Sequence, residues 1–216
     1  MALLSSDTAL LIIDVQNDFC PPYHNKDGSI SEPGALAVAG ANEILGPINM
    51  LSALCEKQGV PVIATQDWHP RNHCSFSSTH AAPGEEQGIW PDHCVQGTKG
   101  ADFHPELNLN PIRLIVRKGF RPYLDSYSAF FENDRCTPTG LEFYLKGLGV
   151  SKIVVTGLAT DYCVKYSALD ARRLGFEVMI VSDAVRGVDY PAGSLQKALV
   201  ELETAGVSFI DSAEII

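Results

Sequence analysis

Hydrophobic positions along this chain fall into two rhythms. Six short apolar runs, at residues 9–13, 61–65, 114–116, 153–155, 178–181 and 207–210, are near-continuous rather than alternating. Strands with one wet face alternate, whereas strands buried on both faces do not, so these runs predict a covered parallel sheet. Stripes at helical spacing lie between them. Ile44, Ile48, Leu51 and Cys55 precede Gly59; Leu141, Leu145 and Leu148 precede Gly149. Val164, Ala168, Ala171 and Leu174 precede Gly175; Leu195, Leu199 and Leu202 precede Gly206. A glycine just past the last apolar position is a common helix stop. Thr137-Pro138 predicts the start of the second helix, with threonine as cap and proline in the first helical position. Strand, helix and glycine repeat through the second half, the pattern of βαβ units. The expected fold is α/β: one three-layer α/β/α, doubly wound domain over residues 1–216, with a mainly parallel six-stranded sheet.

Residues 67–110 break this rhythm, being rich in proline, glycine and histidine and lacking periodicity. Irregular loops of that length in compact domains usually serve function. This one leaves the C-terminal end of the second strand, where open α/β sheets bind ligands. Asp14 follows the first apolar run and Lys118 the third. Cys163 follows the fourth, after the turn Gly157-Leu158-Ala159-Thr160-Asp161-Tyr162. In a parallel sheet these strand ends share one edge, so the three side chains can converge. A thiol near a helix start with an ammonium beside it is favoured as thiolate. Asp14 can take the thiol proton and return it to a leaving amine, and N–H groups of the turn can hold an oxyanion. Taken singly, each residue has a plainer reading: Cys163 as a small core residue, Asp14 as a loop cap, Lys118 as a solvated charge.

Asp67-Trp68-His69 is a second constellation. Alternate residues of an extended segment point the same way, so a carboxylate and an imidazole could grip one metal. His73, His80, His93 and His104 follow as further candidates. Two nitrogens, a carboxylate and open water positions suit zinc, iron or manganese; the plainer reading is a polar loop with surface histidines. Aromatic residues crowd the same segments: Phe19, Trp68, Trp90, Tyr123, Tyr127 and Tyr162. Some could stack on a flat ring, although packing explains any single one. Gly97-Thr98-Lys99-Gly100 lacks the glycine spacing and strand context of a phosphate-binding loop.

Composition narrows the partners. At 216 residues the chain can bury a full core, and its formal net charge of -10 disfavours nucleic acid and anionic membranes. It contains no apolar stretch of about 18 residues that would span a bilayer. Met1-Ala2-Leu3-Leu4-Ser5-Ser6-Asp7 has no basic start, and the apolar run beyond it stops at Asp14, so no secretory leader is expected. Six cysteines without a C-x-x-C pair read as free thiols in a reducing cytosol. A cytoplasmic location follows, and exposed sheet edges and helices leave room for a homo-oligomer.

Several motifs are shared with a known family. They are Leu11-Ile12-Ile13-Asp14-Val15-Gln16-Asn17-Asp18-Phe19, Asp67-Trp68-His69-Pro70, Trp90-Pro91-Asp92-His93-Cys94-Val95, Lys118-Gly119 and Gly157-Leu158-Ala159-Thr160-Asp161-Tyr162-Cys163-Val164. On these the chain resembles the nicotinamidases (pyrazinamidase/nicotinamidase family) of the isochorismatase-like cysteine hydrolase superfamily, over nearly its full length. The resemblance implies the isochorismatase-like hydrolase fold and hydrolysis of nicotinamide to nicotinate and ammonia, in NAD salvage. It places the catalytic groups at Asp14, Lys118 and Cys163, and the oxyanion donors at the N–H groups of Ala159 and Cys163. It places one divalent metal, zinc or else iron or manganese, on Asp67, His69 and His93, with His73 or Ser75 near a further ligand or water. It also implies a cis peptide at Leu158–Ala159, ring binding through the metal, and a thioester intermediate. Phe19, Trp90, Tyr127 and Tyr162 are the candidate pocket wall. Competing expectations are a metal-free amidohydrolase of ureido or carbamoyl substrates, a hydrolase using metal-bound water, and an idle binding protein on the same fold.

Overall fold

The computed structural model describes residues 4–25, 27–79 and 88–215; His80 and the first three residues of the N-terminal reading lie outside them. All six expected strands form: β1 (Thr8–Ile13), β2 (Val62–Asp67), β3 (Ile112–Lys118), β4 (Lys152–Leu158), β5 (Glu177–Arg186) and β6 (Ser208–Ile210). They make one sheet in the order β3-β2-β1-β4-β5-β6, with every pairing parallel. β1 and β2 are buried at every position, as continuous apolar runs require. β3 differs. It lies at the sheet edge, so Arg113, Ile115 and Arg117 are exposed and only Val116 and Lys118 are buried.

Alternation along the strands divides the core between the two faces. Leu10, Ile12, Val62, Ala64 and Val154 face one side and pack on α1 (Leu45–Gln58) through Ile48, Leu51 and Cys55. Leu11, Ile13, Ile63, Ile153 and Val155 face the other. There they meet α2 (Leu141–Gly147), α3 (Lys165–Arg173) and α4 (Ser194–Thr204) through Leu145, Ala168 and Leu202. This is the expected three-layer, doubly wound arrangement. Burying such side chains stabilises the fold by about 1.5–3 kcal/mol each.

The start of α2 departs from expectation. Thr137 and Pro138 do not open a helix. The Asp134 carboxylate accepts hydrogen bonds from the N–H groups of Cys136 and Thr137 and from the Thr137 hydroxyl. Residues 137–139 then pair back on 130–132, through Glu132 N–H to Thr137 O and Thr139 N–H to Phe130 O. The helix begins only after Gly140, and Leu148 is half exposed. A nearby acid satisfied the threonine better than a helix start could.

Strand order reverses about β1: β2 and β3 run out to one side, β4 and β5 to the other. The crevice beyond the carboxyl ends of β1 and β4 is therefore the switch point at which such sheets bind ligands.

Candidate active site

Asp14 is the first residue past β1 and takes a left-handed backbone, φ 48°. Thr65 of β2 holds it from both sides: its hydroxyl donates to Asp14 Oδ1 at 2.6 Å and accepts the Asp14 N–H at 3.1 Å. Lys118 is the last residue of β3, in register beside Asp67, the last residue of β2. That pairing turns two fully or nearly fully buried charges toward each other. Lys118 Nζ lies 2.9 Å from Asp14 Oδ2, 2.5 Å from Asp67 Oδ1 and 3.3 Å from Cys163 Sγ, and donates to Ser126 O at 3.0 Å. Ligand atoms of Asp14, Asp67 and Cys163 all fall within 4.8 Å of one another. The three strand-end residues thus converge as their placement predicts.

Cys163 sits in a single wide turn of π-helix, Thr160–Val164, that joins β4 to α3. Such bulges recur at functional sites because they re-aim side chains. The Leu158–Ala159 peptide entering the turn is cis, as the family resemblance implies.

Opposing effects act on the sulfur. Burial pushes the Cys163 thiol well above its ordinary value, and the Lys118 ammonium draws it back only in part. Burial thus favours the neutral thiol and Lys118 the thiolate, and a thiolate made by proton transfer would form with the ammonium beside it. Burial likewise raises the Asp14 carboxyl to about 6, with Lys118 opposing. Burial alone would lower the Lys118 pKa, but Asp14 and Asp67 together hold it well above normal. Asp67 stays ionised: burial works against it, and Lys118 and His69 outweigh burial.

The histidines gather one layer away. Asp67, His69 and His93 bring ligand atoms within 4.8 Å of one another, all three buried. His69 Nδ1 is 2.7 Å from Gly119 O, and His93 Nδ1 is 2.8 Å from Pro91 O. A carbonyl can only accept, so both rings carry a proton on Nδ1; in the neutral ring Nε2 then holds the lone pair, and in His69 that nitrogen lies 3.6 Å from Asp67 Oδ2, whose charge favours a proton there when no cation is bound. The neutral form is the tautomer a metal-binding imidazole uses, fixed by a backbone partner. A carboxylate and two such nitrogens fit a divalent cation of the zinc, iron or manganese kind. Gly119 must be glycine here: its φ is 61°, and a Cβ would lie 2.4 Å from His69 Cε1. His73 stacks on His69 at 4.1 Å and bonds Ser75 Oγ at 2.7 Å through Nδ1. His104 is not part of this group; it packs edge-on against Tyr23.

A pocket lined by Asp67, His69, His93, Ala159 and Cys163 joins the histidine cluster to the sulfur, with Asp14 and Lys118 fully buried behind it. Its aromatic wall contains Phe19, Trp90, Tyr127 and Tyr162, the four expected residues. Trp90 Nε1 donates to Tyr127 OH at 3.0 Å, and Trp90 meets Tyr162 edge-to-face at 5.1 Å. Leu36, Asp125 and Val188 also line it, and no feature of the sequence marked them. Phe76, fully buried beneath His69, His73 and His93, went unmarked too.

Residues 8–214 match the isochorismatase domain. The chain belongs to that family. Among curated relatives, the nicotinamidase of Acinetobacter baylyi is 42% identical over 98% of this chain and 96% of its own. Among solved structures, PnC1 of L. infantum in complex with nicotinate is 37% identical, with a TM-score of 0.82 over 99% of this chain and 97% of that one. The pyrazinamidase of Pyrococcus horikoshii in complex with zinc is 35% identical, with a TM-score of 0.77 over 95% and 99%. No helix among the described residues is long and apolar enough to cross a membrane.

Within this family site, Gln16, one residue of the first motif, braces the end of β2. Fully buried, its Nε2 donates to Asp67 O at 2.9 Å and Ala101 O at 2.8 Å, while its Oε1 accepts the Asp67 N–H at 2.8 Å. Gln16→Ala removes the side-chain partner of the Asp67 N–H inside the protein, at about 1–3 kcal/mol for a buried unsatisfied group. Urea denaturation should register a loss of about 2 kcal/mol; an unchanged midpoint and slope would contradict this reading.

Proposed function

We propose that the chain is a nicotinamidase: a single-domain, cytoplasmic enzyme of NAD salvage that hydrolyses nicotinamide to nicotinate and ammonia through a thioester on Cys163. The observation that carries this reading is that one aromatic pocket is lined both by Cys163, which Lys118 contacts from behind, and by the Asp67–His69–His93 cluster. The relatives add weight, one being a nicotinamidase and another binding nicotinate.

The proposed sequence begins with Asp14 taking the Cys163 proton. The carboxyl's elevated pKa brings it nearer the thiol's and makes the transfer less uphill. Lys118, 3.3 Å away, stabilises the thiolate as it forms. Sulfur attacks the amide carbon, and the N–H groups of Ala159 and Cys163 receive the developing oxyanion, worth roughly 3–4 kcal/mol per donor. Asp14 returns the proton to nitrogen as the C–N bond breaks, so ammonia leaves and the acyl group stays on sulfur. Asp14 then takes a proton from water, whose oxygen attacks the thioester. That proton goes back to sulfur as the C–S bond breaks, and the acid departs as nicotinate, its remaining proton passing through solvent to the released ammonia.

Asp67, His69 and His93 would hold one divalent cation, for which we propose zinc, with iron or manganese suited to the same donors. Bound there, it supplies positive charge that a pyridine nitrogen lone pair can bind. His73 and Ser75 would steady water beside it. The pocket wall of Phe19, Trp90, Tyr127 and Tyr162 sandwiches the ring.

Ammonia release tests the assignment. Purified protein with nicotinamide should yield ammonia and nicotinate in equal amounts. Dialysis against a chelator should abolish turnover and added zinc restore it, with metal analysis finding one ion per chain. Full activity in fully demetallated protein would remove the metal from the proposal.

A further inference from the structure

One buried carboxylate near the nucleophile takes no part in the chemistry above. Asp161 lies two residues before Cys163, in the same π turn, and is 2% exposed. Both of its oxygens are filled from a distant part of the chain. Oδ1 accepts the Val188 N–H at 2.9 Å, and Oδ2 accepts the Asp189 N–H at 2.9 Å and the Ser194 hydroxyl at 2.5 Å. Neutral donors alone satisfy it; no lysine, arginine or histidine pairs with it among the described residues. A buried anion held only by neutral donors is costly to leave unsatisfied, so the three donors are fixed in place.

The Val188 and Asp189 donors belong to the strap between β5 and α4, and Ser194 opens α4; the strap is part of the pocket. Val188 lines it, and Tyr190 accepts a hydrogen bond from the Tyr162 hydroxyl and packs on Trp90 at 6.1 Å. Approach is close at Gly187: a Cβ there would lie 2.6 Å from Leu195 Cδ1 and 3.2 Å from Asp161 Oδ1, so both side chains would have to shift. Asp189 continues the network, its Oδ1 accepting N–H groups of Gly193 and Leu195.

We propose that Asp161 is a positioning residue that fastens the Val188–Tyr190 wall to the turn bearing Cys163, and so sets how tightly the ring is held rather than how fast the amide is cut. This rests on the nicotinamidase reading for its substrate. The wall touches the flat ring, whereas the reacting atoms meet Asp14, Lys118, Ala159 and Cys163. Loosening the strap therefore weakens ring binding and leaves the proton transfers intact.

The test separates binding from chemistry. Asp161→Asn turns one acceptor into a donor facing N–H groups. It should raise the KM for nicotinamide at least tenfold, leave kcat within threefold, and weaken nicotinate binding by a similar factor, read by tryptophan fluorescence. Ser194→Ala, which removes one donor and keeps the carboxylate, should raise KM about threefold with kcat unchanged, and stands in if Asp161→Asn fails to fold. An unchanged KM in folded Asp161→Asn or in Ser194→Ala, or a fall in kcat at constant KM, would overturn the proposal. If wild-type protein does not turn nicotinamide over, the substrate reading fails by itself. The fluorescence comparison with nicotinate still decides whether Asp161 fastens the wall.

Discussion

Cys163→Ala should lower nicotinamide turnover by at least about 10⁴-fold, the scale seen when a nucleophile acting as part of a unit is removed. The argument is geometric. Cys163 Sγ is the group in the cluster able to form a covalent bond to the amide carbon, with Lys118 at 3.3 Å and an Asp14 oxygen within reach. The substitution trims a small buried side chain and leaves Lys118 paired with Asp14 and Asp67, so it strands no charge. The variant should therefore remain folded and still bind nicotinate, with Asp67, His69, His93 and the aromatic wall untouched. Loss of turnover with retention of binding is the expected pair of results. Activity within tenfold of wild type would transfer the attack to another group.

Lys118→Met should be the most damaging single change to stability near the site. Its ammonium is fully buried and is the cation that neutralises Asp14, and it also contacts Asp67 at 2.5 Å. Removing one member of a buried ion network costs about 3–5 kcal/mol, because the remaining charges lose their partner in a medium that solvates them poorly. Methionine keeps the apolar stem, so the change isolates charge from packing. Calorimetry or urea denaturation should show a loss of that size, with turnover lost as well. Asp14→Asn, which leaves Lys118 paired with Asp67, should cost less. A Lys118→Met protein within 1 kcal/mol of wild type would mean that the charges are solvated or differently paired.

How much of this was legible in the sequence depends on whether a signal was local. The six strands could be read because burial on both faces leaves an apolar run wherever the chain crosses the sheet. The edge position of β3 could not, since order in the sheet is decided by pairing rather than by the run itself. Asp14, Lys118 and Cys163 were legible as candidates from their place after apolar runs, and parallel pairing then brought them together. Spacing did not single out His93 among the downstream histidines; the family resemblance did. The cap at Thr137 misled because Asp134, three residues away, competes for the same donors. The helix position and lysine partner that favour a thiolate are visible in a sequence, but the full burial of the sulfur that opposes them is not. Asp161, Val188, Asp125 and Leu36 carry no periodic mark. Their proximity arises from where two long connections fold back over the switch point.

The most direct test of the account is capture of the acyl-enzyme. Wild-type protein mixed with nicotinamide and quenched in acid within one turnover should yield, by peptide mass spectrometry, a nicotinoyl group on the peptide containing Cys163. That adduct should vanish in Cys163→Ala together with ammonia release. Ammonia release that persists in Cys163→Ala, with no adduct in the wild type, would contradict attack by Cys163.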